Sequence, residues 1–236
     1  MAGLMSVTGE PGGPPVKCGL PVTDLGAGLF AVYGILAALL HRQRTGEGQY
    51  LETSLYDAGV AMSAWEATEY WSTGQVPRPL GSAHRMSAPY QALRTADGYV
   101  TVGANNQRLW ARLCVALGRD DLVDDPRFAT NPDRMRHLDD LVSELELTLV
   151  TRTTAEWVET LLAAGVPAGP VHTYDRVLAD PHTLARGLVR TVEHPDAGPV
   201  KVLGNPVKFS ATPASVRRPP PRLDEHRAEL LGEEES

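Results

Sequence analysis

Leu20-Pro21-Val22-Thr23-Asp24-Leu25-Gly26-Ala27-Gly28 decides how the rest of the chain is read, because it places one carboxylate at the mouth of a long apolar run, Leu29 to Leu40. Pro21 keeps the approach extended, Asp24 is a favoured N-cap residue, and Leu25 to Leu40 are apolar or small, which predicts a helix buried nearly all round. Free backbone N–H groups and the positive end of the helix dipole would converge on the Asp24 oxygens and hold them in place. Gly26 and Gly28 are poor helix formers, and one physical reason to tolerate them is close approach of a ligand or another backbone. An aspartate at such a point can equally do no more than cap.

Composition narrows the field around that helix. With 236 residues and a formal net charge of −7, the chain is long enough for a proper core and reads as a soluble protein with no nucleic-acid partner. Its two cysteines, Cys18 and Cys114, are far apart and lack metal-ligand spacing, which points to a reducing compartment and no metal. The run Leu29 to Leu40 is too short to span a bilayer, and Met1 to Val16 lacks the charged-then-apolar order of a signal peptide, so a cytoplasmic protein without a membrane partner is expected.

Outward from the helix, residues 1 to 19 read as loop, Gln49 to Glu52 as a short strand and Leu55 to Thr73 as a second helix with its tryptophans packed. Gly74 to Ser87 is loop, with Gly81, Ser82, His84 and Arg85 at its tip. Asp97-Gly98 turns a hairpin between Tyr90 to Leu93 and Tyr99 to Gly103, and a helix runs from Gln107 to Leu117. Further helices are predicted near Asp120 to Val123, from Asn131, over Met135 to Val150, from Thr154 and over Asp175 to Leu188. The acidic residues Asp133, Asp139, Asp140, Glu144 and Glu146 read as a solvated face because no His accompanies them at ligand spacing. A last hairpin pairs Val189 to Val192 with Val200 to Leu203, and Pro213 to Pro221 forms a polyproline-like strap.

The Asp that opens an apolar helix, the ending Ala38 to Arg42 and the turn Thr45-Gly46-Glu47-Gly48-Gln49 resemble the class III CoA-transferase family (CaiB/BaiF, formyl-CoA transferase-like). Leu4 to Gly9, Pro89 to Gly98, Ala164 to Val171 and Pro206 to Ser210 resemble it in the same order and spacing, and the tail Leu223 to Leu231 looks like the family's closing helix with Asp224 where glycine is usual. The resemblance implies an α/β protein: a partial CoA-transferase family III fold, with buried helices and a small α+β domain containing short antiparallel strands. It implies a catalytic-aspartate segment over 1–75, a small domain over 76–190 and a return segment over 191–236. It also implies that this sequence matches the C-terminal part of the family's length, without the N-terminal CoA-binding portion, so that the isolated chain could be inactive and a separate N-terminal chain is a conceivable partner. An interlocked homodimer is expected from the family.

What the family does supplies the chemistry. The resemblance implies CoA transfer between an acyl-CoA and a carboxylic acid, with Asp24 as the catalytic nucleophile and the thioester as substrate. Gly81, Ser82 and His84 fall in a loop that closes over the active site in the family, and with Asn106 they are the expected substrate-binding residues; no CoA-contacting residue can be named. A 2-methylacyl-CoA racemase-like isomerase is the first alternative. Racemases of the superfamily place a glutamate after the second hairpin strand, where this sequence has Asn105 and Asn106, and an amide cannot take a proton. A non-catalytic fragment that keeps only the fold is the second alternative.

Overall fold

The computed structural model describes residues 1–232 and divides into two compact units, 1–171 and 172–236, the second extending past the described residues. Boundaries expected at 75/76 and 190/191 do not coincide with this division. The second would cut through a paired hairpin, whose ladder hydrogen bonds keep it in one piece.

In the first unit, a short 3₁₀ turn, Leu4–Ser6, precedes α1, Val22–Thr45, which ends on Gly46 in the left-handed conformation. Asp24 is not its N-cap. Pro21 holds that position, and Asp24 lies in the first turn. The predicted all-round burial is also absent: Gly26 alone is buried, while residues such as Leu25, Leu29, Tyr33 and Leu36 are exposed. The reason is that α2, Leu55–Met62, is its main helical neighbour among the described residues and covers only one stripe. At 24 residues α1 is long and apolar enough to cross a membrane by length and composition, so the argument from Leu29 to Leu40 alone understates the helix.

Glycines let these elements approach. A Cβ on Gly26 would meet Met62 Cε at 2.4 Å, and one on Gly59 would meet Ala2 Cβ at 2.6 Å and Thr23 Cγ2 at 3.3 Å. Residues 47–54 form no strand, since no described strand pairs with them. The predicted second helix is two, α2 and α3, Ala64–Thr73, broken at Ser63; Ser54 caps α2 by accepting from the Asp57 N–H. Trp71, expected to pack, is 79% exposed, and Trp65 is half-exposed.

The rest of the first unit matches its prediction closely. Strands β1, Tyr90–Arg94, and β2, Tyr99–Gly103, pair antiparallel with Leu93 opposite Val100. Leu93, Val100 and Val102 point into the core, as period-2 alternation requires. Helix α4, Gln107–Leu117, buries Trp110, Leu113, Cys114 and Leu117, one face at i, i+3, i+4 and i+7. Helix α5, Asn131–Arg136, follows a Thr130–Asp133 capping box. It leads to α6, Leu138–Leu149, and α7, Thr154–Ala163, whose buried faces carry Leu141, Leu145, Leu149, Trp157 and Leu161. Strand β3, Ala168–Pro170, pairs with β2 and completes the three-stranded sheet. Each fully buried leucine contributes about 1.5–3 kcal/mol, so this module holds the main core of the unit.

The second unit holds α8, Tyr174–Ala179, α9, Pro181–Ala185, the hairpin β4–β5, Val189–His194 with Gly198–Leu203, and α10, Arg227–Leu231. Arg218 pairs with Glu229 and Arg222 with Asp196, so part of the proline-rich strap is tied down by ion pairs. Asp224, at the position where the resemblance leads one to expect glycine, has φ +61°; it is the non-glycine positive φ among the described residues, and Asp is one of the few side chains that tolerates it.

Overpacking at the α1–α2 contact gives a direct test. Gly59→Val is expected to lower stability by about 1–3 kcal/mol in urea titration, whereas Gly28→Ala, where a Cβ meets nothing within 4 Å, is expected to leave it equal or slightly higher.

Candidate active site

Asp24 reaches solvent from the first turn of α1, and Thr23 Oγ donates to its Oδ2 at 3.3 Å. The N–H groups of Thr23 and Asp24 precede the first intrahelical bond, in which Leu25 N–H donates to Pro21 O, so the unpaired donors sit beside the carboxylate even though it is not the cap. Asp24 lines a cavity of about 260 Å³ with Lys17, Leu20, Val22, Leu4 and Met5. A second cavity, about 410 Å³, shares Leu4, Cys18 and Val22 in its wall and extends to Met62 and Val76. The contact of Gly59 with Ala2, Leu4 and Thr23 holds these walls together.

The loop 74–89 is pinned along its length. Gly81, at φ +59°, donates its N–H to Gly9 O, and a Cβ there would meet Glu10 Oε2 at 2.8 Å. Ser82 Oγ accepts from the Ala92 N–H at 3.2 Å. His84 donates its backbone N–H to Tyr90 O, accepts from Met86 N–H at Nδ1, stacks on Tyr90 at 5.0 Å and meets the edge of Trp65 at 5.2 Å. A lone loop histidine would be expected to stand in water; this one is held between two rings. Arg85, at the loop tip, is committed to Glu66, Glu69 and the Arg78 carbonyl.

These residues do not converge in one cavity. Gly81, Ser82, His84 and Asn106 are all absent from the lining at Asp24. Ser82 and His84 instead line a cavity of about 490 Å³ with Tyr90, Gln91 and Val171. Asn106 caps α4: its Oδ1 accepts from the Leu109 N–H at 3.0 Å, which accounts for the amide without a ligand.

Two anchors of the loop escaped sequence reasoning. Asn131 accepts from the Ala88 N–H and donates to Met86 O, while Arg134, fully buried, donates to Ala88 O at 2.7 Å and Phe128 O at 2.9 Å. Arg134 lies over the Trp110 ring, and its Nη2 finds no hydrogen-bond partner among the described residues. Burial pushes its pKa down, outweighing the opposing charge of Asp133. Nothing in the local pattern of Asn131-Pro132-Asp133-Arg134 marks a buried cation, since arginine is almost always exposed. Cys114 is core, and burial pushes its thiol up to about 12, which leaves it inert. Among the described residues no group of three or more His, Cys, Asp or Glu could hold a metal.

The sequence pattern of CoA-transferase family III matches residues 1–227, and the chain belongs to that family. It is 38% identical over 242 residues to a succinate–glutarate CoA-transferase of Agrobacterium fabrum, covering 100% of this chain and 59% of that protein. It is 35% identical over 233 residues to the human succinyl-CoA:glutarate CoA-transferase, covering 99% of this chain and 53% of that protein. A crystal structure of a CaiB/BaiF family protein from Brucella suis superposes with a TM-score of 0.83 at 35% identity, covering 98% of this chain and 60% of that one. The mixed helix-and-sheet fold with short antiparallel strands is therefore that of the CaiB/BaiF proteins, and the chain spans about half to three-fifths of the length of the relatives it matches.

Two measurements follow from the burial pattern. Thiol titration of the native chain should detect only the half-buried Cys18, with the second thiol appearing in denaturant as Cys114 is exposed. Arg119 beside Glu144, at 2.9 Å and 21% and 27% exposed, holds the Glu144 carboxyl below its ordinary 4.5. Its stabilising contribution is present above that value and lost as pH falls through the lower folded value. The urea midpoint should therefore fall more steeply below pH 4.5 in the native chain than in Glu144→Gln.

Proposed function

We propose that this chain carries the catalytic-aspartate part of an enzyme that transfers coenzyme A between an acyl-CoA and a carboxylic acid. The observation that carries the reading is the accessible Asp24 carboxylate on a cavity wall, beside the unpaired N–H groups of a long helix's first turn. Two relatives named for succinate or succinyl-CoA and glutarate support a dicarboxylic substrate class.

The chemistry runs in four displacements. A carboxylate oxygen of Asp24 attacks the thioester carbonyl; the C–S bond breaks, leaving a mixed anhydride and CoA thiolate. The thiolate attacks the aspartyl carbonyl, expels the donor acid as its carboxylate and forms an aspartyl-CoA thioester. The acceptor carboxylate attacks that carbonyl, releasing thiolate and forming a second anhydride. Thiolate attack on the acceptor's acyl carbon then yields the new acyl-CoA and restores Asp24. Each tetrahedral oxyanion needs donors, and the N–H groups of the first turn of α1 are the candidates in this chain.

Gly81, Ser82, His84 and Asn106 are proposed as substrate-binding residues that lie outside the lining of the Asp24 cavity. The isomerase reading is less favoured, because Asn106 is both an amide and a helix cap. An interlocked homodimer in the cytoplasm, free of membrane, is proposed as the working state. It would give the exposed apolar residues of α1 a protein neighbour, as their one-sided contact with α2 requires.

Intact mass spectrometry of the purified chain with succinyl-CoA tests the reaction. A covalent CoA adduct is expected on the native chain and not on Asp24→Ala. Absence of an adduct on the folded native chain, with an N-terminal family portion also added in trans, would sink the transferase reading.

A further inference from the structure

Resting on that reading, we infer that Lys17 is the specificity residue of the Asp24 cavity, receiving the distal carboxylate of a linear dicarboxylic acid whose other carboxylate reacts at Asp24. Lys17 and Asp24 line the same cavity of about 260 Å³, whose other lining residues include the apolar Leu4, Met5, Leu20 and Val22. A second substrate carboxylate entering such walls must meet a charge partner or remain in water. Lys17 makes no ion pair or hydrogen bond among the described residues, so its positive charge is available.

The segment that carries Lys17 is anchored on both sides. Val16 packs on Gly9, where a Cβ would come within 3.0 Å of Val16 Cγ2, and Cys18 stands half-buried in the walls of both neighbouring cavities. Met1 shares the cavity lining with Lys17, while two arginines are out of reach or occupied. Arg42 is eighteen residues along α1 from Asp24, about 27 Å at 1.5 Å per residue, and Arg85 is held by Glu66 and Glu69. Lys17 would also offset the repulsion between the Asp24 carboxylate and an incoming diacid, an interaction worth more in a partly apolar cavity than in water.

Isothermal titration of the purified chain with glutarate and with butyrate, in the native chain, Lys17→Gln and Lys17→Arg, tests the assignment. Lys17→Gln is expected to weaken glutarate about tenfold or more and butyrate by less than about twofold, with Lys17→Arg keeping glutarate near native. Lys17 is exposed, so an unchanged urea midpoint is expected to accompany the loss. Equal glutarate affinity in native chain and Lys17→Gln, parallel loss of both acids, or no glutarate binding by the native chain overturns it. A CoA adduct on Asp24 together with unchanged glutarate affinity in Lys17→Gln would remove the Lys17 assignment and leave the transferase reading standing; Lys17-dependent glutarate binding with no adduct, even with an N-terminal family portion added in trans, would remove the transferase reading and leave Lys17 only as the diacid contact of this cavity.

Discussion

The approach of α2 to the N-terminal end of α1 is the contact on which the candidate site depends. Gly59 has no Cβ to keep Ala2, Leu4 and Thr23 away, and Gly26 leaves room for Met62. Because of that closeness, the first turn of α1, the turn at Leu4–Ser6 and the segment around Cys18 enclose a cavity, and Asp24 is on its wall. A bulkier residue at Gly59 would separate the walls before it touched the carboxylate.

The small α+β module, 88–171, answers a different constraint. Its core is built from the facing stripes of α4, α6 and α7 against one side of the β1–β2 hairpin, and among the described residues Thr95 and Arg134 are its buried polar members. Trp157 Nε1 donates to Leu149 O at 2.7 Å, which ties α7 to the end of α6. Arg134 and Asn131 use the same module as a fixed base for the backbone at 86–88. Interior packing and a buried hydrogen-bonded cation thus carry rigidity from the core to the loop at Gly81–Ser87, although neither Asn131 nor Arg134 lines the cavities at Asp24.

Helix α1 shows why an apolar sequence does not settle what surrounds it. Its composition specifies a helix that avoids water, yet within the described residues only one stripe is covered. The same composition meets the length and apolarity of a membrane span. A stretch of leucines and alanines states a preference for an apolar neighbour without naming protein or lipid.

Local chemistry alone determined much of this protein: the hairpin turned at Asp97-Gly98, the helix between Asn106 and Gly118, the core face at Trp110, Leu113, Cys114 and Leu117, and an aspartate opening a long apolar helix. These features rest on residues a few positions apart, whose turn, cap and periodicity rules act within one element. Only the tertiary structure decided that Asp24 stands within the first turn of its helix and not at the cap, that Lys17 shares its cavity, that His84 is clasped by Trp65 and Tyr90, and that Arg134 is buried under Ala88. Those placements come from contacts between segments distant in the chain. Their energy depends on shape and burial that no short window of sequence contains.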